Sequence, residues 1–278
     1  MILSLSPANN HAGAAGIALA AASAVALVAY AVAALPGERV GTRFALLIGW
    51  IAHAIAIVVD VAGIGSPLIG ARFGFAPALS MTIWLVLAVY VVESRLVPLP
   101  GVRRVLALLG VVVVVLAAVF PGELRPQAPS PWAPLHWALG LASYGLFGAA
   151  VLHAVMLTRA ERQMRSATAA ASAIAATGMP LLRLERMTFR FVLAGFVVLS
   201  GALLLGAWFA NPWRWDHKTV FSMLGWLVFA ALLAGRRSFG WRGPAATRWL
   251  YAGAALLLLA YVGSRFVLEV VLHRPPTV

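Results

Sequence analysis

At 278 residues, 63% hydrophobic and only 10% charged, with a mean hydropathy of +0.94, the chain lies outside the composition of soluble globular domains. Its formal charge of +13 and pI near 11.6 do not point to nucleic acid, because 20 of the 21 Lys and Arg residues sit in short connections between apolar runs rather than on one soluble face. Cysteine is absent, which excludes disulfides, thiol redox chemistry and Cys-ligated metals.

A helix needs ~20 largely apolar residues to cross the hydrocarbon core. Windows of that kind follow one another at 12–35, 44–64, 76–93, 104–120, 135–157, 190–210, 219–235 and 249–272, which predicts an all-α, polytopic membrane bundle of about eight transmembrane helices. Residues 1–11 hold no Lys or Arg, so the basic n-region of a cleavable signal peptide is missing and the first helix is expected to be retained. After the fourth window the connection 121–134 carries Pro121, Pro126, Pro129, Pro131 and Pro134. It reads as a stiff, extended outer linker between an N-terminal four-helix half, 1–120, and a C-terminal four-helix half, 135–278. The Ala/Ser/Thr-rich stretch 166–178, flanked by arginines, is too short and too polar at its edges to span, and is expected to be a cytoplasmic linker.

Fifteen of the 21 basic residues fall in the connections after the first, third, fifth and seventh windows; five, Arg72, Arg125, Arg214, Lys218 and Arg274, fall on the opposite side, with Arg265 inside the last window. The positive-inside rule then places both termini outside, and the chain is expected to be a multi-pass protein of a bacterial inner (plasma) membrane. No inverted repeat is visible, so the repeat architecture of many secondary transporters receives no support.

In this topology His136 opens the fifth helix, His217 sits in the last outer connection and His273 closes the eighth helix, so three of the six histidines converge on one leaflet. Neutral imidazole ligates haem iron, zinc and copper, although amphipathic residues also belong at helix ends for their own sake. His53 lies near the middle of the second helix, where a polar group is costly and points into the bundle, either for function or for a hydrogen bond to a neighbouring helix. His153 is 17 residues beyond His136, about 25 Å along a helix, and should not share its site. On the last helix Arg265, Glu269 and His273 follow at i, i+4 and i+8, along one stripe. The Arg–Glu pair either neutralises itself or anchors an anionic ligand, and Asp60, at the outer end of the second helix, is a further candidate for the same polar layer.

The densest chemical signal is the stretch from Trp208 to Thr219, where Trp208, Phe209, Trp213 and Trp215 crowd with Arg214, Asp216, His217 and Lys218 between two apolar runs. An interfacial aromatic belt accounts for indoles at this depth, but not for the order Trp-x-Trp-Asp-x-Lys. From Leu184 onward the sequence resembles the haem-handling core of the cytochrome c assembly protein family, the CcsA and CcmC class with its HemX-like relatives. In that family a tryptophan-rich outer segment ending in Trp-x-Trp-Asp-Pro-Lys is the haem platform, and Trp213, Trp215, Asp216 and Lys218 match its end. The family's two outward axial histidines are matched by His136, followed by Ser143 and Tyr144, and by His273 at the end of the last helix; Gly240 to Gly243 form a family-like Gly-Trp-Arg-Gly turn. The resemblance runs from about Pro134 to His273 and reaches the first half only through helix count and hydropathy.

What the resemblance implies is a non-covalently held, b-type haem at the outer face, with indoles stacked on the porphyrin, His136 and His273 on the iron, and Arg214, Lys218 or Arg265 at the propionates. It also implies other cytochrome c assembly proteins as partners, beside haem and the lipid bilayer. The sequence departs from the family pattern at His217, which replaces Pro, and at Ala234, which replaces a membrane histidine of the haem-attachment synthases. These departures favour the smaller HemX-like branch. They also favour no covalent catalysis, and no nucleophile–base set, P-loop or zinc-protease motif is present. Two alternatives use other residues: a regulatory or assembly factor of tetrapyrrole supply acting through the basic segment 158–190, and a small-ion or metal transporter using His53, Asp60, Arg265 and Glu269.

Overall fold

The computed structural model describes residues 13–37, 39–64, 70–96, 101–126, 132–165, 181–209 and 215–272. Among them, eight helices are long and apolar enough to cross a membrane, each with a mean hydropathy between 1.6 and 2.5: α1 (Ala14–Ala33), α2 (Val40–Val61), α3 (Phe75–Leu96), α4 (Val102–Val119), α5 (Ala133–Arg165), α6 (Leu181–Phe209), α7 (His217–Phe239) and α8 (Gly243–Val271). The expected all-α bundle is therefore present, a multi-pass membrane protein in form. Helices α5 and α6 run well beyond the windows 135–157 and 190–210, because hydropathy measures bilayer thickness while the Arg-, Leu- and Met-rich flanks remain good helix formers. The segment 166–178 lies outside the described residues.

The sequence reading has no strand in it, yet Gly70–Phe73 (β1) and Glu123–Pro126 (β2) form an antiparallel two-stranded ribbon. Residues 123–126 of the proline-bearing connection are thus held by a ladder, with Phe73 opposite Glu123 and Arg72 opposite Leu124. The ribbon closes tightly: a Cβ on Gly74 would stand 2.8 Å from the Gly122 Cα, and Gly122 itself has φ 72°. Glycine is required at both positions, one for close approach and one for its left-handed backbone.

Two apolar clusters hold the bundle. One joins α1 to α4 with the inner parts of α5 and α6 around Tyr30, Leu87, Leu106 and Leu184. The other joins α5 to α8 around Phe147, Phe229, Leu232 and Leu250, with Phe147 and Phe229 stacked at 3.9 Å. Helix approach relies on small residues, as expected where lipid offers no hydrophobic contrast. The Tyr30 ring is sandwiched between Gly49 of α2 and Gly110 of α4, where a Cβ would come within 2.7 and 2.8 Å of it. Trp50 and Trp84 stack at 5.1 Å and exchange indole hydrogen bonds, each Nε1 donating to the other's backbone carbonyl. Large apolar side chains such as Val58, Val197 and Leu204 stay exposed on the periphery, as lipid-facing residues do.

The ribbon, the start of α1, the start of α7 and the end of α8 lie at one end of the bundle, called the ribbon end below. At the opposite end Arg103, buried in α4, donates to the last carbonyls of α1 and its exit, Ala33 and Gly37, satisfying groups that a helix C-terminus leaves open. There too, Glu185 accepts from Arg236 at 2.9 Å and from Arg242 in bidentate fashion at 2.8 and 2.9 Å. One carboxylate so ties α6 to α7 and to the Gly-Trp-Arg-Gly turn.

Candidate functional site

Near the ribbon end, α5, α6, α7 and α8 surround a cavity of about 150 Å³. Its chemistry comes from His136, Tyr144, Lys218 and Tyr261, set against Phe73 and Trp137. His136 is half-buried one turn inside α5, and its Nδ1 lies 2.8 Å from the Ala202 carbonyl of α6. A carbonyl only accepts, so Nδ1 carries the hydrogen and Nε2 carries the lone pair. A hydrogen bond from the other ring nitrogen is how proteins fix the tautomer and ring plane of a metal-binding imidazole. Gly206 permits it: a Cβ there would stand 2.8 Å from His136 Cε1.

The opposite wall is supplied by α8. It is α-helical over Gly243–Leu258, then π-helical over Leu259–Gly263, α-helical over Ser264–Phe266 and π-helical over Val267–Val271. Tyr144 donates its hydroxyl to the Leu257 carbonyl just ahead of the first widened turn. Tyr261, within that turn, faces the Lys218 ammonium 5.5 Å from its ring centroid, a cation–π contact. Widened turns of this kind are rare and are frequent at functional sites.

At the end of α6 and just ahead of α7, Trp208 and Trp215 are 85% and 68% exposed. Asp216 has a structural duty: its side chain accepts from the Thr219 N–H at 2.7 Å and caps α7. His217 and Lys218 follow as the first residues of that helix, both exposed at their positions. Of the residues singled out from the sequence, Trp213, Arg214 and His273 lie outside the described residues. Among the others, His136 and Lys218 both line the cavity, and Trp215, Asp216 and His217 immediately precede Lys218 in the chain.

The remaining polar candidates are placed elsewhere. Arg265 is buried and directs its guanidinium at Glu123 of β2, 3.6 Å away, and at Glu269, 3.7 Å away. Glu269 also lies 3.5 Å from the Phe75 N–H at the start of α3. This cluster ties the end of α8 to the ribbon. His53 is buried between Tyr30, whose hydroxyl is 3.1 Å from Nδ1, and Ser80, whose hydroxyl is 2.7 Å from Nε2. Asp60 faces Arg72 of β1 at 3.9 Å. Consecutive ribbon residues thus serve different regions, Arg72 toward α2 and Phe73 toward Trp137 of α5, 4.8 Å between ring centroids.

One pair was not singled out from sequence at all. His153 Nε2 sits 3.1 Å from Glu93 of α3, while its Nδ1 faces the Ala149 carbonyl at 2.8 Å. Their separation of 60 positions hides the pairing from any local pattern; only a glutamate at the end of an apolar window hinted at a buried partner. Among the described residues no group of three or more His, Asp and Glu side chains converges as a metal site.

The family described as Cytochrome C assembly protein matches residues 10–272. The cytochrome c biogenesis protein CcsA of Prochlorococcus marinus is 26% identical over 217 residues, 66% of this chain and 69% of that protein. The inner membrane protein YpjD of Escherichia coli K12 is 31% identical over 160 residues, 56% of this chain and 60% of its own length. CcsA of a Synechococcus strain is 27% identical over 173 residues, 50% of this chain and 54% of that protein. The matched stretches therefore span between about half and two thirds of these relatives.

Proposed function

The chain belongs to the cytochrome c assembly protein family, and from that membership we propose that it binds haem non-covalently at the ribbon end and presents it there to other assembly proteins. The observation that carries the reading is His136, whose Nδ1 is held by the Ala202 carbonyl so that Nε2 is the ligating side. His273, matching the family's second outward histidine, is proposed as the other residue that would hold the iron. The residues present fit such a group: an oriented imidazole, aromatic walls, exposed indoles at Trp208 and Trp215, and a Lys218 ammonium for a propionate.

A cavity of about 150 Å³ is small beside the ~300–1,000 Å³ of sites that enclose a ligand. It admits an edge of a macrocycle, not the whole. Most of a bound porphyrin would then rest on the exposed indoles, which suits presentation to a partner better than storage. Within this reading Trp215 and Trp213 supply stacking area, Asp216 fixes the start of α7 and so the direction of Lys218, and Arg265 acts through the ribbon rather than at a propionate.

The excess of arginines at the opposite end favours that end as the cytoplasmic one, which puts the haem face outside in a bacterial inner membrane. No residue is assigned a covalent step, and we propose that the protein carries out none. The test is haem content, measured as the pyridine haemochrome of detergent-purified protein. Trp215→Ala and Lys218→Ala should each lower haem per protein several-fold while expression is unchanged. Equal haem in all three proteins would contradict the assignment of the platform.

A further inference from the structure

A second and larger cavity, of about 540 Å³, lies in the other half of the bundle, between α1, α2, α3 and α4 at the ribbon end. Its volume is within the ~300–1,000 Å³ range of ligand sites. Its walls are largely apolar, with Ile17, Leu19, Ile57 and Val114 among them, and its polar groups lie at two depths. His53 and Ser80 are at the deeper level, and their polar atoms bond to each other and to Tyr30. Asp60 and Arg72 are at the mouth, with Asp60 seven residues beyond His53, about 10 Å further along α2.

The two depths differ in how well they are satisfied. The deep set is closed on itself. At the mouth, Asp60 and Arg72 are each only 8% exposed, and their closest approach, 3.9 Å, is too long for a hydrogen bond. Both side chains line the cavity and face each other as an ion pair without a hydrogen bond, so that neither Asp60 Oδ1 nor Arg72 Nε has a hydrogen-bond partner among the described residues. Leaving a charged group buried and unsatisfied costs more than leaving a neutral one so. The mouth therefore wants one group that accepts from a guanidinium and donates to a carboxylate, above an apolar interior.

We infer that this cavity takes the head and one acyl chain of a phospholipid whose head carries both a phosphate and a primary ammonium, the phosphate accepting from Arg72, the ammonium donating to Asp60, the chain running along the apolar wall toward His53 and the second chain staying in the bilayer. Position agrees with chemistry: Asp60 is next to last in its helix and Arg72 belongs to the ribbon, so the pair lies where spanning helices end and headgroups begin. Helix α1, which forms one wall, buries only 17% of its apolar window inside the protein and offers the acyl chain an edge shared with the bilayer. Phosphate meets a guanidinium through charge-assisted hydrogen bonds. An ammonium bearing hydrogens satisfies a carboxylate in a way that a trimethylated one cannot. The site is separate from the proposed haem groove and does not depend on it.

The experiment is lipid titration of the purified full chain by native mass spectrometry and thermal unfolding, with phosphatidylethanolamine, phosphatidylcholine, phosphatidylglycerol and free phosphoethanolamine as the four probes. The expected result is one phosphatidylethanolamine retained per chain, with phosphatidylcholine and phosphatidylglycerol bound roughly tenfold more weakly, as loss of one charge-assisted hydrogen bond requires. Asp60→Asn should remove that preference while haem content stays at the wild-type level. Equal binding of the three lipids by the wild-type protein would overturn the proposal, leaving only annular lipid. So would a preference unchanged in Asp60→Asn, or saturation by free phosphoethanolamine, which would make the ligand a soluble one. The wild-type titration decides the matter even if a variant fails to fold.

Discussion

The imidazole of His136 rests on Gly206, where a Cβ would stand 2.8 Å from its Cε1. That contact links helix packing to the proposed chemistry, because the same approach brings Nδ1 to 2.8 Å from the Ala202 carbonyl on the same helix. Gly206→Ala should push the ring off this seat and lose the hydrogen bond that orients it. The expected outcome is haem content reduced several-fold with the protein still folded, read by haemochrome assay beside a thermal melt. Full haem content in Gly206→Ala would show that the orientation of His136 does not govern binding.

Asp216 separates two roles that the sequence motif merges. Its side chain caps α7 through the Thr219 N–H, and asparagine caps about as well as aspartate whereas alanine does not. Asp216→Asn should therefore keep wild-type haem content and stability, while Asp216→Ala should lose about 1 kcal/mol of stability and some haem. Loss of haem in Asp216→Asn alone would mean that the carboxylate charge meets the ligand directly.

Tyr30 is fully buried between Gly49 and Gly110 with its hydroxyl on His53. Adding a methyl at either glycine overpacks a contact already at van der Waals distance. Gly49→Ala and Gly110→Ala should each destabilise by about 1–3 kcal/mol, measured by unfolding in mild detergent. A neutral effect would indicate that α1 slides freely against α2 and α4.

The bundle is stitched at the opposite end by Glu185, which is largely buried while its bidentate partner Arg242 is 60% exposed. Removing the exposed partner, as in Arg242→Ala, should be mild, because a solvent-screened ion pair contributes little. Glu185→Ala leaves Arg236 over the Phe189 ring, 3.6 Å from its centroid, without its carboxylate, and should cost more, about 1–3 kcal/mol. Equal effects of the two variants would contradict the asymmetry in burial.

The eight spans were legible because each needs a long apolar window and the chain has few competing signals. The residues of the proposed haem platform were legible for a different reason: Trp215, Asp216 and Lys218 fall within four positions of each other, so their pattern survives in a linear reading. What could not be read are pairings between helices. His53 with Ser80, Asp60 with Arg72, Arg265 with Glu123 and Glu93 with His153 join residues that share no local period. The ribbon was missed because four-residue strands in proline- and glycine-bearing connections carry almost no alternation signal. Arg265 reads as a ligand anchor on its own helix and becomes a ribbon anchor only once Glu123 is brought beside it.

The most direct test of the account is the visible absorption spectrum of the purified protein, oxidised and dithionite-reduced, beside a His136→Ala/His273→Ala double variant of equal stability. The account predicts a low-spin Soret and α/β pattern in the wild type that is lost in the variant. A wild-type protein that binds no haem even on reconstitution, or a double variant with an unchanged low-spin spectrum, would contradict it.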